Sequence, residues 1–254
     1  MPIRLPGLVL GLLFGFDAAA EPYSVPVDSD YPKNVYWGDT HLHTRNSADA
    51  YSLGNLNLTP ADAFRFAQGR ELIAHNGMRV QLRRPLDFLV VSDHAEYLGG
   101  FYRFNINDPL VQGTDAADKW QGFVDAGETA KVYATFVASM QDPENNPALP
   151  ESTRRTIWED VALTADEHNK PGQFTAFTGY EWTSMINGNN LHRVVVYRDS
   201  ADKAKQLPPF SAQDSLDPRE LWKALARYEE ATGGEVLAIA HNGNLSNGMM
   251  FPSV

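Results

Sequence analysis

Cysteine is absent from the 254 residues. Disulfides, thiolate nucleophiles, Cys-ligated zinc and a lipid-modified N-terminal Cys are therefore excluded. Any metal must be held by His, Asp and Glu. Basic residues are few: 21 Lys and Arg stand against 32 Asp and Glu, for a net charge of -11. Such a chain is not suited to coating nucleic acid by neutralising phosphates, so no nucleic-acid partner is expected. Net charge does not set local potential, and a pocket lined by basic groups or metal can still take one small anionic substrate.

Long hydrophobic runs are absent as well. The apolar stretch from Gly7 to Phe16 is too short to span a bilayer, which needs about 20 apolar residues. It follows Arg4 and precedes Ala18-Ala19-Ala20, the pattern of a secretory signal peptide with a small-residue cleavage site. Residues 1–20 are read as that signal, with a buried N-terminal helix as the alternative. The mature part, 21–254, is expected to be periplasmic or secreted, with no membrane partner once the signal is removed. Its composition is neither poor in apolar residues nor rich in Pro and Gly, which points to a globular domain with a sizeable core.

Five segments read as strands: 35–43, 86–92, 173–180, 191–198 and 235–241. The second and fifth are short and mostly apolar, as in strands buried on both faces. Thr59-Pro60-Ala61-Asp62 opens a helix, with Thr at the N-cap and Pro at the first helical position. A helical, polar region runs from about 115 to 169, with Ile157, Val161 and Ala165 marking an apolar stripe. Asp217-Pro218-Arg219-Glu220 starts another helix with a capping-box Glu. Leu221, Leu225 and Tyr228 line it, and Gly233-Gly234 end it. Strands alternating with helices predict an α/β fold, a largely parallel sheet or a barrel. A barrel needs seven or eight strands, so it is expected to be incomplete here.

The polar residues at the strand ends carry the chemistry. His41 and His43 sit at i and i+2 of the first strand, so both imidazoles project to one face. Asp49 follows in the next loop. The second strand ends in Asp93-His94, the third in Glu181, the fifth in His241, and His192 opens the fourth. A lone His-x-His is a weak signal. Five of the seven histidines at strand ends, with Asp49 and Glu181 beside them, point to one shared metal site. His75 lies in a polar segment and His168 closes a helix; both read as structural.

The ordered motifs resemble the PHP (polymerase and histidinol phosphatase) superfamily. More narrowly, Trp37-Gly-Asp-Thr-His-Leu-His-Thr44, Ser92-Asp-His-Ala-Glu96 and Ala240-His-Asn-Gly-Asn-Leu-Ser-Asn-Gly248 resemble its exported DUF3604 branch. The resemblance implies a distorted seven-stranded (βα) barrel with two or three divalent metal ions, zinc, manganese or iron. By position, it puts His41 and His43 on one metal with a bridging Glu181. It puts Asp49 and His94 on a second, and Glu181, His192 and His241 on a third. Two departures stand out. Asp49 occupies a place where many members have His, which favours a harder metal such as manganese or iron. The family's last Asp-x-His pair does not follow His241 and is expected beyond Val254.

A carboxylate bridging metals among imidazoles suits hydrolysis by metal-activated water, of a phosphate ester above all. Arg45 and Arg193, each beside a candidate ligand, could clamp a phosphate oxygen or serve only as solubilising charges. Asp93 and Glu96 could orient ligands or relay protons, and Asp93 could instead cap its turn. Hydrolysis of another ester or an amide, and metal-dependent anion binding without turnover, are the alternatives that the same ligand set allows.

Overall fold

A computed structural model describes residues 32–142 and 145–251. The expected signal peptide, 1–20, lies outside the described residues. Tyr36–Val254 form one compact unit, and every element named below belongs to it. Among the described residues no helix is long and apolar enough to cross a membrane.

The first strand, β1 (Gly38–Leu42), leads through α1 (Ala48–Ser52) and α2 (Pro60–Ala67) to a small hairpin, β2 (Leu72–Ile73) and β3 (Arg79–Val80). Then β4 (Phe88–Val91) enters the core, with Leu89, Val90 and Val91 buried. Four helices follow: α3 (Gly100–Asn105), α4 (Asp115–Asp125), α5 (Thr129–Ser139) and α6 (Glu151–His168). The chain returns through β5 (Thr175–Phe177), β6 (Gly179–Trp182) and β7 (Arg193–Tyr197). After α7 (Ala201–Ala204) and α8 (Pro218–Thr232) it ends with β8 (Val236–Ala240).

Helix boundaries follow local chemistry. The Thr59 hydroxyl accepts the Asp62 N–H, and the Asp62 carboxylate accepts the Thr59 N–H, closing a capping box before Pro60. Asp217 caps α8 by accepting the Arg219 N–H. The expected capping-box Glu220 does not close the loop: the Asp217 N–H donates to Ser215 Oγ, while Glu220 pairs with Lys223. Gly233 ends α8 in the left-handed region, at φ 61°, where only glycine sits without strain. Leu221, Leu225 and Tyr228 are the buried stripe of α8, as their spacing predicts. On α6 the stripe of Ile157, Val161 and Ala165 is widened by Trp158 and Ala162.

The sheets correct the expected architecture. There is no distorted (βα)7 barrel. One three-stranded sheet, in the order β1-β4-β5, is parallel. A second, β6-β7-β8, is antiparallel throughout, and β2-β3 is separate. Among the described residues β1 and β8 share no ladder, so no barrel closes. A short apolar run says that a strand is buried, not which way it points. Direction depends on the connection. Residues 183–192 carry one 3-10 turn and no crossover helix, so β7 returns beside β6 instead of crossing over. The two sheets leave between them a cavity of about 310 Å³, lined by Val90, Phe177, Val196, Leu237 and Ile239.

The segment read as one strand, 173–180, is in fact two. Thr178 separates β5 from β6, and there the chain leaves the parallel sheet for the antiparallel one. The β4–β5 register (Phe88↔Thr175, Leu89↔Ala176, Val90↔Phe177) continues beyond the break as an isolated parallel bridge, His94↔Glu181. Gly179 makes the passage possible. A Cβ there would lie 2.4 Å from Val90 Cγ1 and 2.8 Å from the Val195 carbonyl oxygen. Gly179→Ala should therefore destabilise the protein by about 1–3 kcal/mol through overpacking, read as a lower urea midpoint at unchanged slope. Thr59→Ala should cost about 1 kcal/mol through loss of the cap in the same measurement.

Candidate metal centre

Five strand ends meet at one end of the two sheets. β1, β4, β6 and β8 supply His41 and His43, His94, Glu181 and His241 from or just past their carboxyl ends. β7 runs the other way, so it supplies His192 from its amino end. The His241 N–H donates to the His192 carbonyl at 3.4 Å, which keeps the two side by side.

Glu181 is the centre of this group. Its residue is 1% exposed, and five imidazoles surround its carboxylate. His41 Nε2 lies 3.0 Å and His43 Nε2 2.8 Å from Oε2, with His94 Nδ1 at 3.7 Å. His192 Nδ1 lies 2.7 Å and His241 Nε2 3.0 Å from Oε1. Burial pushes the Glu181 carboxyl up. The charge of His94 and the bonds from His192, His241 and His41 outweigh it and hold the group well below the usual carboxylate range.

Asp49, in the first turn of α1, faces the outer side of the same cluster. Both its oxygens lie 3.0 Å from His43 Nδ1, and Oδ2 lies 3.6 Å from His94 Nε2. Burial drives His43 down, but the bonds to Asp49 and Glu181 outweigh it and raise it to about 10. Burial drives His192 below its ordinary value.

This donor set fits cations. Two carboxylates, Glu181 and Asp49, stand among five imidazoles, and all five imidazoles converge on Glu181. His43 Nε2 is paired with Glu181 Oε2 at 2.8 Å, whereas neither His192 Nε2 nor His241 Nδ1 has a partner. Buried ring nitrogens without partners are what a shared cation would satisfy. Two sets have donor atoms within 4.8 Å of one another: His41, Glu181 and His241, and His43, His94 and Glu181. Both use Glu181, as a bridging carboxylate would. The pairing differs from the one the family resemblance implied. His41 packs on His241, with ring centroids 4.1 Å apart, and His43 on His94, at 4.6 Å.

The remaining site residues fall around this centre or away from it. Asp93 is buried and accepts both the backbone N–H and the hydroxyl of Thr44, fixing the turn after His43. Glu96 is buried and accepts the N–H groups of Thr183 and Ala212, and burial pushes its carboxyl up to about 7. Arg45 turns away: its guanidinium stacks on Tyr102, 3.5 Å from the ring centroid, in a cleft with Asn46, Thr59 and Arg103. Arg193 lies on the opposite face of β7 from His192, because neighbouring strand residues alternate. His75 is exposed on the β2–β3 turn, and His168 donates to the Thr164 carbonyl and stacks on Phe64.

Three hydroxyls are not singled out as site residues by the sequence. Thr183 hydrogen-bonds His94 Nδ1, Ser47 Oγ lies 3.1 Å from His43 Nδ1, and the Thr44 hydroxyl engages Asp93. Ser and Thr are too common for their spacing to mark a site, and only the fold brings them to the histidines.

Purified protein should bind divalent zinc, manganese or iron, counted by elemental analysis after dialysis. Glu181→Gln should lower metal affinity about 100-fold or more, since it removes a donor common to both sets. Imidazole ligates only when neutral, so each proton displaced makes affinity fall about tenfold per pH unit below the ligand pKa. A metal content unchanged in Glu181→Gln would contradict the assignment.

Residues 30–254 match the protein family described as "Protein of unknown function (DUF3604)". No curated protein and no solved structure matches the chain. The match covers most of the sequence and takes in every residue of the histidine cluster, so the chain belongs to the DUF3604 family.

Proposed function

We propose that this protein is an exported metal-dependent hydrolase of the PHP superfamily, acting as a phosphoesterase on a small anionic substrate. The observation that carries the reading is the Glu181 carboxylate, 1% exposed and ringed by five imidazoles. Two or three divalent cations held there would lower the pKa of water and offset the charge of a phosphoryl group.

The chain's own residues divide the remaining work. Glu181 offers one oxygen to the His41, His43 and His94 side and the other to His192 and His241. His41 is the most exposed of the five, its side chain 38% accessible. Substrate therefore approaches from its side. Asp49 and Ser47 orient His43, and Thr183 orients His94. Asp93 holds the turn that carries Thr44 and so keeps His43 in place. Arg193, on the far face of its sheet, has no part in holding the substrate, and Arg45 points into a neighbouring cleft. The cations themselves are then the main attraction for an anion in a chain of net charge -11. Export to the periplasm rests on the N-terminal pattern Arg4, Gly7–Phe16 and Ala18–Ala20.

The test is a panel of aryl phosphate mono- and diesters, sulfate esters, lactones and amides, run with metal-loaded protein. Turnover of phosphate esters should be abolished by chelation and restored by metal. Glu181→Gln should lose at least about 10³-fold in kcat/KM, or ~4 kcal/mol of transition-state stabilisation. Turnover confined to carbonyl or sulfate esters would keep the hydrolase and reassign the bond. Confirmed metal with no turnover on any substrate would overturn the catalytic reading.

A further inference from the structure

A cavity of about 170 Å³ lies behind the antiparallel sheet, on the face turned away from the histidines. Tyr180 stands opposite Val195 in the β6–β7 ladder, so Tyr180 and Tyr197 share one face, while Glu181 and His192 lie on the other. Helix α6 bounds the cavity with Arg154, α8 with Ala224, Arg227 and Tyr228, and the segment before α8 with Phe210. The walls are aromatic. Tyr197 meets Tyr228 edge to face, with ring centroids 4.9 Å apart, and Tyr180 lies 6.2 Å from Tyr197. A cavity of about 150 Å³ holds benzene, so this one has room for a single six-membered ring with a small substituent.

The polar groups around this space are incompletely satisfied. Tyr180 is 1% exposed, and its hydroxyl makes no hydrogen bond, although Tyr197 and the Phe210 backbone lie close to it. Both of those neighbours line the cavity, which sets the hydroxyl at its edge. Burial pushes the Tyr180 hydroxyl up, so it stays protonated and able to donate. Arg154 Nη1 donates to Asp214 at 3.2 Å, but its Nε is buried and without a partner. Arg227, exposed on α8, makes no ion pair or hydrogen bond among the described residues.

Charge decides between the ligands that such a ring of tyrosines could take. An aromatic cage beside a free carboxylate suits a quaternary ammonium. Here the carboxylate is occupied: Asp214 accepts from Arg154 and from both the N–H and the hydroxyl of Ser211. Two guanidiniums against one carboxylate leave one positive charge over, that of Arg227. We propose that the cavity binds a small aromatic carboxylate, its ring among the tyrosines and its carboxylate at the guanidiniums of Arg154 and Arg227. Arginine pairs with carboxylates through parallel charge-assisted hydrogen bonds, and Tyr180 offers a further donor. The site is separate from the proposed metal centre, which lies on the other face of the sheet.

The probe is benzoate, titrated into the full chain by isothermal calorimetry, with benzamide as its uncharged counterpart and choline as a cation. Benzoate should bind at one site with a dissociation constant of about 1 mM or tighter. Benzamide should bind at least about tenfold more weakly, for want of charge-assisted bonds, and choline not at all. Arg227→Gln should weaken benzoate about tenfold and leave benzamide unchanged. Ala224→Leu, at a half-buried helix position lining the cavity, should fill it and abolish benzoate binding. Glu181→Gln should keep the wild-type affinity, since it alters only the metal centre. No benzoate binding, benzamide or choline as tight as benzoate, or undiminished binding in Ala224→Leu would overturn the proposal. Loss of binding in Glu181→Gln would place benzoate at the metal centre and overturn it too. Should Ala224→Leu not fold, an undiminished affinity in Arg227→Gln, at an exposed position, would overturn it equally.

Discussion

An ionised carboxylate removed from water costs several kcal/mol unless charges and hydrogen bonds around it compensate. Glu181 is such a group, and the end of the molecule where it lies is organised around its compensation. Its two oxygens meet five imidazoles that come from four strand ends, His41 and His43 sharing that of β1. To bring them together, the chain changes sheets within a few residues. β5 runs parallel to β4, Thr178 breaks the strand, and β6 continues the same register far enough to set Glu181 beside His94. Gly179 allows that passage because no side chain would fit between Val90 and the Val195 carbonyl.

The antiparallel second sheet has a direct consequence for the site. In a purely parallel arrangement only carboxyl ends would face the centre. Because β7 is reversed, His192 enters from an amino end, and His241 is held next to it by the β7–β8 ladder. The same alternation that sends His192 inward sends Arg193 to the far face. One strand thus separates the histidine cluster from a guanidinium set over the Trp182 and Trp222 rings. Around the cluster, buried polar residues fix the loops: Asp93 holds Thr44, and Glu96 joins the Thr183 and Ala212 backbones. In a low-dielectric interior such bonds hold geometry firmly, because the alternative is an unsatisfied buried polar group.

Much of the site was legible in the sequence, and for a clear reason. Histidines and acids placed directly after apolar strands are rare by chance, so His41, His43, His94, Glu181, His192 and His241 identify themselves. The N-caps Thr59 and Asp217 were also readable, because capping depends on residues two or three apart, although the capping-box partner expected at Glu220 was not realised. Arg45 and Arg193 were not readable. Adjacency to a candidate ligand says nothing about side-chain direction, and on a strand it places the neighbour on the opposite face. Thr183 and Ser47 carried no signal at all.

By itself the sequence determined the chemistry available: no thiols, a set of histidines and acids of the kind that can ligate metal, short buried strands and well-capped helices. These are local properties, set by residue type and by contacts a few positions apart. Strand direction, the break at Thr178 and the pairing of His41 with His241 were decided only in the tertiary structure. They depend on which connections cross a sheet and which return beside it, and that follows from packing among segments far apart in the chain. The expected barrel gave way to a three-stranded parallel sheet and an antiparallel one for this reason: an apolar strand records that it is buried but not the direction in which it runs.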